Sequence, residues 1–187
     1  MKKIYLTNRL LLRTIDTSYS VRVLDYYTRN KEFLEPWEPK RNQNFYKPAY
    51  HKKSLRIEKD LINNLSMLRL WIFKKDDTFC DKIIGTIAFS NIVRGCLMSC
   101  TLGYKLDKDE IKKGYMTEAL NEGINIMFNE YKLHRIEANI MPKNSASINL
   151  VKKFGFENEG ISKKYIKINN VWEDHYRMSL LSKDITH

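Results

Sequence analysis

Cysteine is scarce: Cys80, Cys96 and Cys100 are the only three in the chain. An odd count gives no paired disulfide framework. Along one strand Cys96 and Cys100 sit about 13 Å apart, beyond disulfide reach. No Cys/His spacing matches a zinc site, so no metal is expected, and reduced thiols point to a reducing cytoplasm. Proline and glycine number 4 and 7 and nowhere gather into a linker. No apolar run approaches the roughly 20 residues of a membrane span. The opening segment, Met1-Lys2-Lys3-Ile4-Tyr5-Leu6-Thr7-Asn8-Arg9, has charge but no apolar stretch of a secretory leader. Internal repeats, a Walker loop, a dinucleotide-type GxGxxG and a Ser-His-Asp order are all absent. These absences exclude membrane, secreted disulfide-stapled and zinc-built classes, and leave a cytoplasmic protein.

What is present suits one domain over residues 1–187, with 43% hydrophobic and 12% aromatic residues to fill a core. Lys and Arg total 33 against 22 Asp and Glu, a net charge of +11. Such an excess attracts polyanions, among them RNA, acidic proteins and phosphorylated cofactors. The lysines are dispersed, however, and drift in composition explains them as well.

The hydrophobic pattern predicts a mixed α/β sheet covered by helices. Leu10-Leu11-Leu12-Arg13 reads as a first strand. A helix is expected over 16–33, capped by Asp16 or Thr17, and then an extended loop enforced by Pro36 and Pro39. A second helix is expected over 52–67. Strands follow at 70–73 and 83–89, joined by a polar hairpin connection, and at 99–106. Gly103 interrupts the last of these, as glycine does at a bulge or at the close approach of another backbone. A helix runs from the turn at Gly114 to about Tyr131, with Leu120, Ile124, Met127, Phe128 and Tyr131 on one stripe. A strand at 135–140, a short helix capped by Asn144 and closed at Gly155, and strands near 163–168 and 175–181 complete the chain.

Chemistry concentrates in Lys112-Lys113-Gly114-Tyr115-Met116-Thr117-Glu118-Ala119-Leu120 and in Asn144-Ser145-Ala146-Ser147. The first is a glycine turn opening directly into an amphipathic helix. Helix N-termini present unpaired N–H groups and the positive end of the macrodipole, which suits phosphate. Lys112 and Lys113 add mobile positive charge. The second is a polar cap close enough to line the same cleft, and together they suggest a pyrophosphate-bearing cofactor.

These motifs, with Tyr27-Thr28-Arg29-Asn30-Lys31-Glu32-Phe33-Leu34-Glu35-Pro36-Trp37-Glu38-Pro39, Phe89 to Gly95, Leu102-Gly103-Tyr104, His134-Arg135-Ile136, Phe154 to Gly160 and Trp172-Glu173-Asp174-His175, occur in one colinear order. The chain resembles the GNAT-fold N-acetyltransferases, and among them the RimJ/RimL type that acetylates ribosomal-protein N-termini, most nearly the RimJ branch. The resemblance implies a single mixed, mostly antiparallel sheet flanked by helices, with acetyl-CoA as co-substrate and no metal. It implies that Leu102, Tyr104, Lys105 and Leu106 pair with pantetheine as a further strand would. It assigns the pyrophosphate to the amides of Lys112, Lys113, Gly114, Tyr115, Met116 and Thr117, and the pantetheine arm to Asn144. The usual turn is Gln/Arg-x-x-Gly-x-Gly/Ala; here its ends are Ile111 and Met116, and Lys112 stands where glycine is common. Weaker cofactor affinity is the expectation.

An α-amino group, with a pKa near 8, loses its proton far more readily than a lysine near 10.4. The position of the tyrosine acid used by many GNAT enzymes is Val151, and the serine that replaces it in the RimJ/RimL type matches Ser147. A hydroxyl packed on the first helical turn is the plain alternative for that serine. The positions where related enzymes place a glutamate base hold Thr101 and Ile166. Glu38, beside Trp37, is the remaining carboxylate for an incoming ammonium, against the reading of an ordinary solvated loop acid. Glu137 either faces the cleft or lies on an exposed face. Trp37, Phe45 and Tyr46 either line a substrate mouth or anchor the loop. His134 and His175 suit structural roles; His51 and His187 suit the surface.

The leading expectation is transfer of acetyl to the N-terminal alanine of a ribosomal protein in a ternary complex, with ribosome association and no specific DNA or membrane partner. A small-molecule amine is the alternative acceptor. A third reading is a basic ribosome- or RNA-associated binding protein with a decayed cofactor site.

Overall fold

The structure is a computed structural model and describes residues 3–183. In chain order come β1 (Ile4–Leu6), β2 (Leu10–Arg13), α1 (Ser20–Arg29), α2 (Lys31–Leu34), α3 (Pro48–Asn63), β3 (Leu68–Lys74), β4 (Gly85–Val93) and β5 (Ser99–Leu106). They are followed by α4 (Tyr115–Asn125), β6 (Arg135–Ile140), α5 (Ser145–Lys152), β7 (Glu157–Ile168) and β8 (Val171–Leu181). Among the described residues, eight strands form one sheet, ordered β1-β2-β3-β4-β5-β6-β8-β7. Of these described strands only β5 and β6 run parallel, and α4 crosses between them. A parallel neighbour cannot be reached by a tight turn, so the chain must cross over the sheet there.

Strand alternation divides the core into two layers. In β3, Leu68, Leu70 and Ile72 point to one side, where Met116, Ala119 and Leu120 of α4 and Val151 of α5 pack. Trp71 and Phe73 point to the other, against Val23, Tyr26 and Tyr27 of α1 and Leu55 of α3. A residue's parity along a central strand therefore decides which layer it meets.

Several boundaries differ from the expectations. β1 pairs antiparallel with β2 through a segment read from sequence only as lacking a leader. The helix expected over 16–33 is broken. Asp16 caps a single 3-10 turn at Thr17–Tyr19, and the helical path breaks again at Asn30. Asn30 leaves it because its amide reaches out, accepting from the Lys108 amide at 2.8 Å and donating to the Tyr26 carbonyl at 2.9 Å. The proline-framed loop is not extended throughout: Glu35–Trp37 form a 3-10 turn, and the chain becomes extended only at Glu38. Proline in a first helical turn lacks only an N–H that would have no partner there, so Pro36 fits. Pro48 likewise opens α3 four residues before the expected start. The last helical stretch of the crossover, Ile126–Glu130, is a π-helical turn. Cys96 lies in the turn before β5 rather than on the strand. β7 and β8 extend well beyond the expected ranges around the Asn169–Asn170 turn, where both asparagines adopt left-handed φ of 46° and 68°.

Candidate active site

The sheet opens where its two parallel strands part. β5 and β6 are in register only from Ser99 to Thr101, against Arg135 to Glu137. Leu102 to Leu106 remain paired with β4 on one edge but meet no strand among the described residues on the other, while β6 turns its ladder to β8 as far as Ile140. A strand edge freed in mid-sheet holds a row of backbone donors and acceptors that an extended ligand can complete. Tyr104 spans the gap, donating its hydroxyl to the Ser147 carbonyl at 3.1 Å. Burial pushes the Tyr104 phenol up to about 12, so it stays protonated at neutral pH and keeps that bond.

Beyond the C-terminal end of β5 lies the glycine turn. Gly114 has φ 81° and directly precedes α4. Among the described residues, no backbone amide from Lys112 to Thr117 donates to another part of the chain. Six N–H groups gathered at a helix start make an anion cradle. Lys112 takes φ 60°, the left-handed conformation that a glycine would adopt, so the turn keeps its geometry at a cost of roughly 1–2 kcal/mol. The two lysines differ. Lys113 is folded back, its Nζ donating to the Asp109 carbonyl at 2.6 Å and to Glu110 at 2.9 Å. Lys112 has no such tie among the described residues.

Two residues that sequence reading missed brace this turn. Arg9 donates to the Lys113 carbonyl at 2.9 Å, pairs with Glu118 at 2.7 Å and stacks over Tyr115 at 4.6 Å. Glu110, almost fully buried, receives both Lys74 and Lys113 at 2.9 Å. Burial alone raises its pKa, but the two ammonium groups outweigh that and hold the carboxyl below its usual range. Arg9 lies more than a hundred positions upstream, and no local pattern marks it.

The second motif forms as a cap. Asn144 Oδ1 accepts from the Ser147 amide at 3.1 Å, opening α5. Ser147 is thereby fixed twice through its backbone, by Asn144 and by Tyr104, while its half-buried hydroxyl is left without a tie among the described residues. Val151 is fully buried in the core and Ile166 is an apolar residue of β7.

Glu38 is no solvated loop acid: it is 8% exposed. One carboxylate oxygen meets the ammonium of Lys105, on β5, and the other meets Arg41 at 3.0 Å. Lys105 also lies 5.3 Å from the centre of the Tyr27 ring. The loop carrying Glu38 is thus strapped to the strand with the free edge. Beside it is a cavity of about 190 Å³ lined in part by Tyr27, Glu38, Arg41, Phe45 and Tyr46. Phe45 is both lining and anchor: it is buried, and it meets Tyr27 at 4.9 Å and His51 at 4.9 Å. His51, expected at the surface, is 2% exposed, because α3 begins early and turns it onto Tyr27. Trp37 is partly exposed. His175 is buried against the Glu173 carbonyl at 3.0 Å, and His187 lies outside the described residues. Glu137 faces the same side of the sheet as Thr101, its ladder partner, and is held by Arg135 at 2.7 Å. No cluster of His, Cys, Asp or Glu able to hold a metal occurs among the described residues, and no helix there is long and apolar enough to cross a membrane.

A freed strand edge leading to an amide-rich helix start suits an extended ligand that ends in a phosphate. The family description "Acetyltransferase (GNAT) domain" matches residues 9–157, and the chain belongs to that family. It is 37% identical to the [ribosomal protein uS5]-alanine N-acetyltransferase of Escherichia coli K12 over 180 residues, covering 96% of this chain and 91% of that protein. The solved ribosomal-protein-S5-alanine acetyltransferase of Vibrio fischeri superposes with a TM-score of 0.91 at 34% identity, over 99% of this chain and 100% of that one. Mycobacterium smegmatis RimJ, solved with a CoA disulfide, shares the fold at a TM-score of 0.89 and 22% identity, over 100% and 90% of the two chains.

Proposed function

We propose that this protein transfers acetyl from acetyl-CoA to the N-terminal amine of a protein, in the first place an alanine-starting ribosomal protein. The observation that carries the reading is the free edge of Leu102 to Leu106 ending at the unbonded amides of 112–117, in a chain matched along nearly its whole length by uS5-alanine acetyltransferases. The single sheet from Ile4 to Leu181 supports treating 1–187 as one catalytic domain. Retention in the cytoplasm and ribosome association are part of the same proposal, the latter suited by the net charge of +11.

Acetyl-CoA supplies a thioester carbonyl open to attack by an uncharged amine. The residues at hand fit it. Backbone groups of Leu102, Tyr104, Lys105 and Leu106 pair with an extended pantetheine arm. The amides of Lys112 to Thr117 hold the pyrophosphate, with Lys112 free to add its charge. Asn144 caps α5 and so sets Ser147 at the cleft wall. As the N–C bond forms and the C–S bond breaks, Ser147 would pass its hydroxyl proton to the departing thiolate and regain one from the proton the attacking nitrogen sheds. Glu38 attracts the incoming ammonium and orients it, exchanging part of its contact with Lys105 for the substrate. The α-amine, with its low pKa, then releases its proton to water.

The test is release of free thiol from acetyl-CoA with a panel of N-terminal peptides and small amines, with mass spectrometry of the products. Release with Ala- or Ser-starting peptides, and one acetyl group on the α-amine, is the expected result. Release only with small amines would transfer the proposal to that acceptor class. No release with any acceptor, together with RNA binding that weakens steeply with salt, would replace it by the binding-protein reading.

A further inference from the structure

Gly103 sits in the middle of β5, yet the fold gives no reason for a glycine there. The register with β4 is unbroken from Gly85↔Leu106 to Ser90↔Thr101, with Ala88↔Gly103 between, so there is no bulge at this position. Its φ is not in the left-handed region. A Cβ built on it meets nothing within 4 Å among the described residues. A side chain is therefore allowed by both backbone and packing, and its absence costs about 0.5–1 kcal/mol relative to alanine. Glycine in a strand interior otherwise marks the close approach of a ligand or another backbone, and among the described residues no backbone atom lies within 4 Å of that Cβ position.

Alternation fixes what surrounds this opening. Gly103 faces the same side of the sheet as Lys105 and Thr101, and Thr101 pairs with Glu137 at the point where β5 and β6 part. Across β4 its row continues through Ala88 to Arg69. Arg69 is held by buried Glu58 at 2.9 Å, and its Nε is buried with no acceptor among the described residues. The window thus has a charged wall at Arg69, the Glu38–Lys105 pair along the strand on one side, and Thr101 with Glu137 on the other. It lies on the opposite side of the sheet from α4, beside the free edge of the same strand.

We infer that Gly103 is the floor of the acceptor seat: the first residue of the incoming peptide lies across β5 here, its backbone against the bare strand. This rests on the acetyltransferase reading above. A cofactor arm pairing with the edge lies in the plane of the sheet. Only a second substrate approaching over the face needs the space of a missing side chain at Gly103. The ammonium then lies within reach of the Glu38 carboxylate, whose partner Lys105 is two residues along the same strand.

The experiment uses the full chain and the variants Gly103→Ala, Gly103→Ser and Gly103→Val, measuring melting temperature, CoA affinity and peptide-dependent thiol release. The seat predicts unchanged or higher melting temperatures and CoA affinity within about twofold. It predicts a kcat/KM for Ala-starting peptides lowered about tenfold by alanine and a hundredfold or more by valine, each factor of ten being about 1.4 kcal/mol. Wild-type kinetics in Gly103→Val would overturn the seat and leave the acetyltransferase reading standing. Loss of CoA affinity in all three variants would assign the opening to the cofactor and also overturn it. If valine unfolds the protein, the alanine and serine variants carry the same two outcomes. A wild-type protein inactive with every peptide overturns the underlying reading, and the seat with it.

Discussion

The two sides of β5 are built from different materials. On the side toward α4 and α5, the site is main chain: a free strand edge, six amides unbonded among the described residues and a helix cap, with Gly114 setting the turn. On the side toward α1 and α3, it is side chains: Glu38 strapped by Lys105 and Arg41, Arg69 held by Glu58, and a bare patch at Gly103. A backbone site recognises what every partner of one kind shares, in the proposed function an extended arm and a pyrophosphate. A side-chain site recognises what differs between acceptors. The two sides should therefore fail separately.

The largest expected effect falls where they meet. Ser147→Ala keeps the amide that Asn144 holds and the carbonyl that Tyr104 holds, and removes only the hydroxyl. Steady-state thiol release should drop about 100-fold in kcat, the lower end for loss of a general acid, with CoA affinity nearly unchanged. Unchanged kcat would return Ser147 to a packing role. Next comes Glu38→Gln, which removes the carboxylate charge. Peptide kcat/KM should fall roughly 10- to 30-fold, while calorimetric CoA affinity stays constant. Wild-type turnover would take Glu38 out of the acceptor site. Gly114→Ala should do the reverse. Its Cβ is forced into left-handed backbone 3.2 Å from Arg9, at a cost of roughly 1–2 kcal/mol, and it should weaken CoA binding about tenfold with peptide KM little changed.

The smallest effect is a pH dependence confined to the acceptor side. Burial lowers the pKa of His51 from its ordinary value near 6.5. The unfolded chain then binds a proton that the folded chain does not, so this contribution is full above pH 6.5 and is lost as pH falls below it. Denaturation midpoints compared between pH 7.5 and 5.5 should show His51→Phe less acid-sensitive than wild type. Equal sensitivity would mean that the buried ring does not titrate in that window.

The same division explains how far the sequence could be read. The Gly114 turn and the Asn144 cap are legible, because glycine after a polar turn and asparagine before a helix act on their own neighbours; the strand at 99–106 is legible as a strand, and its free edge only through the resemblance to the GNAT fold. Glu38 could be singled out, but its burial could not be foreseen, since it depends on a lysine 67 positions later in the strand. Arg9 and Glu110 gave no signal for the same reason. The surface expected for His51 does not hold because Pro48 extends α3 by a turn and carries the ring inward. Gly103 is legible as a strand glycine, but the unbroken register and the open space above it, which exclude a bulge and a backbone contact, depend on β4 and on packing that the sequence does not show.

Hydrogen–deuterium exchange on addition of CoA tests the central claim most directly, that the free edge and the amide turn together form the cofactor site. Slowed exchange should appear in two segments, 102–106 and 112–117, and leave 35–46 on the opposite side unchanged. Slowing at 35–46 with none at 112–117 would contradict the account.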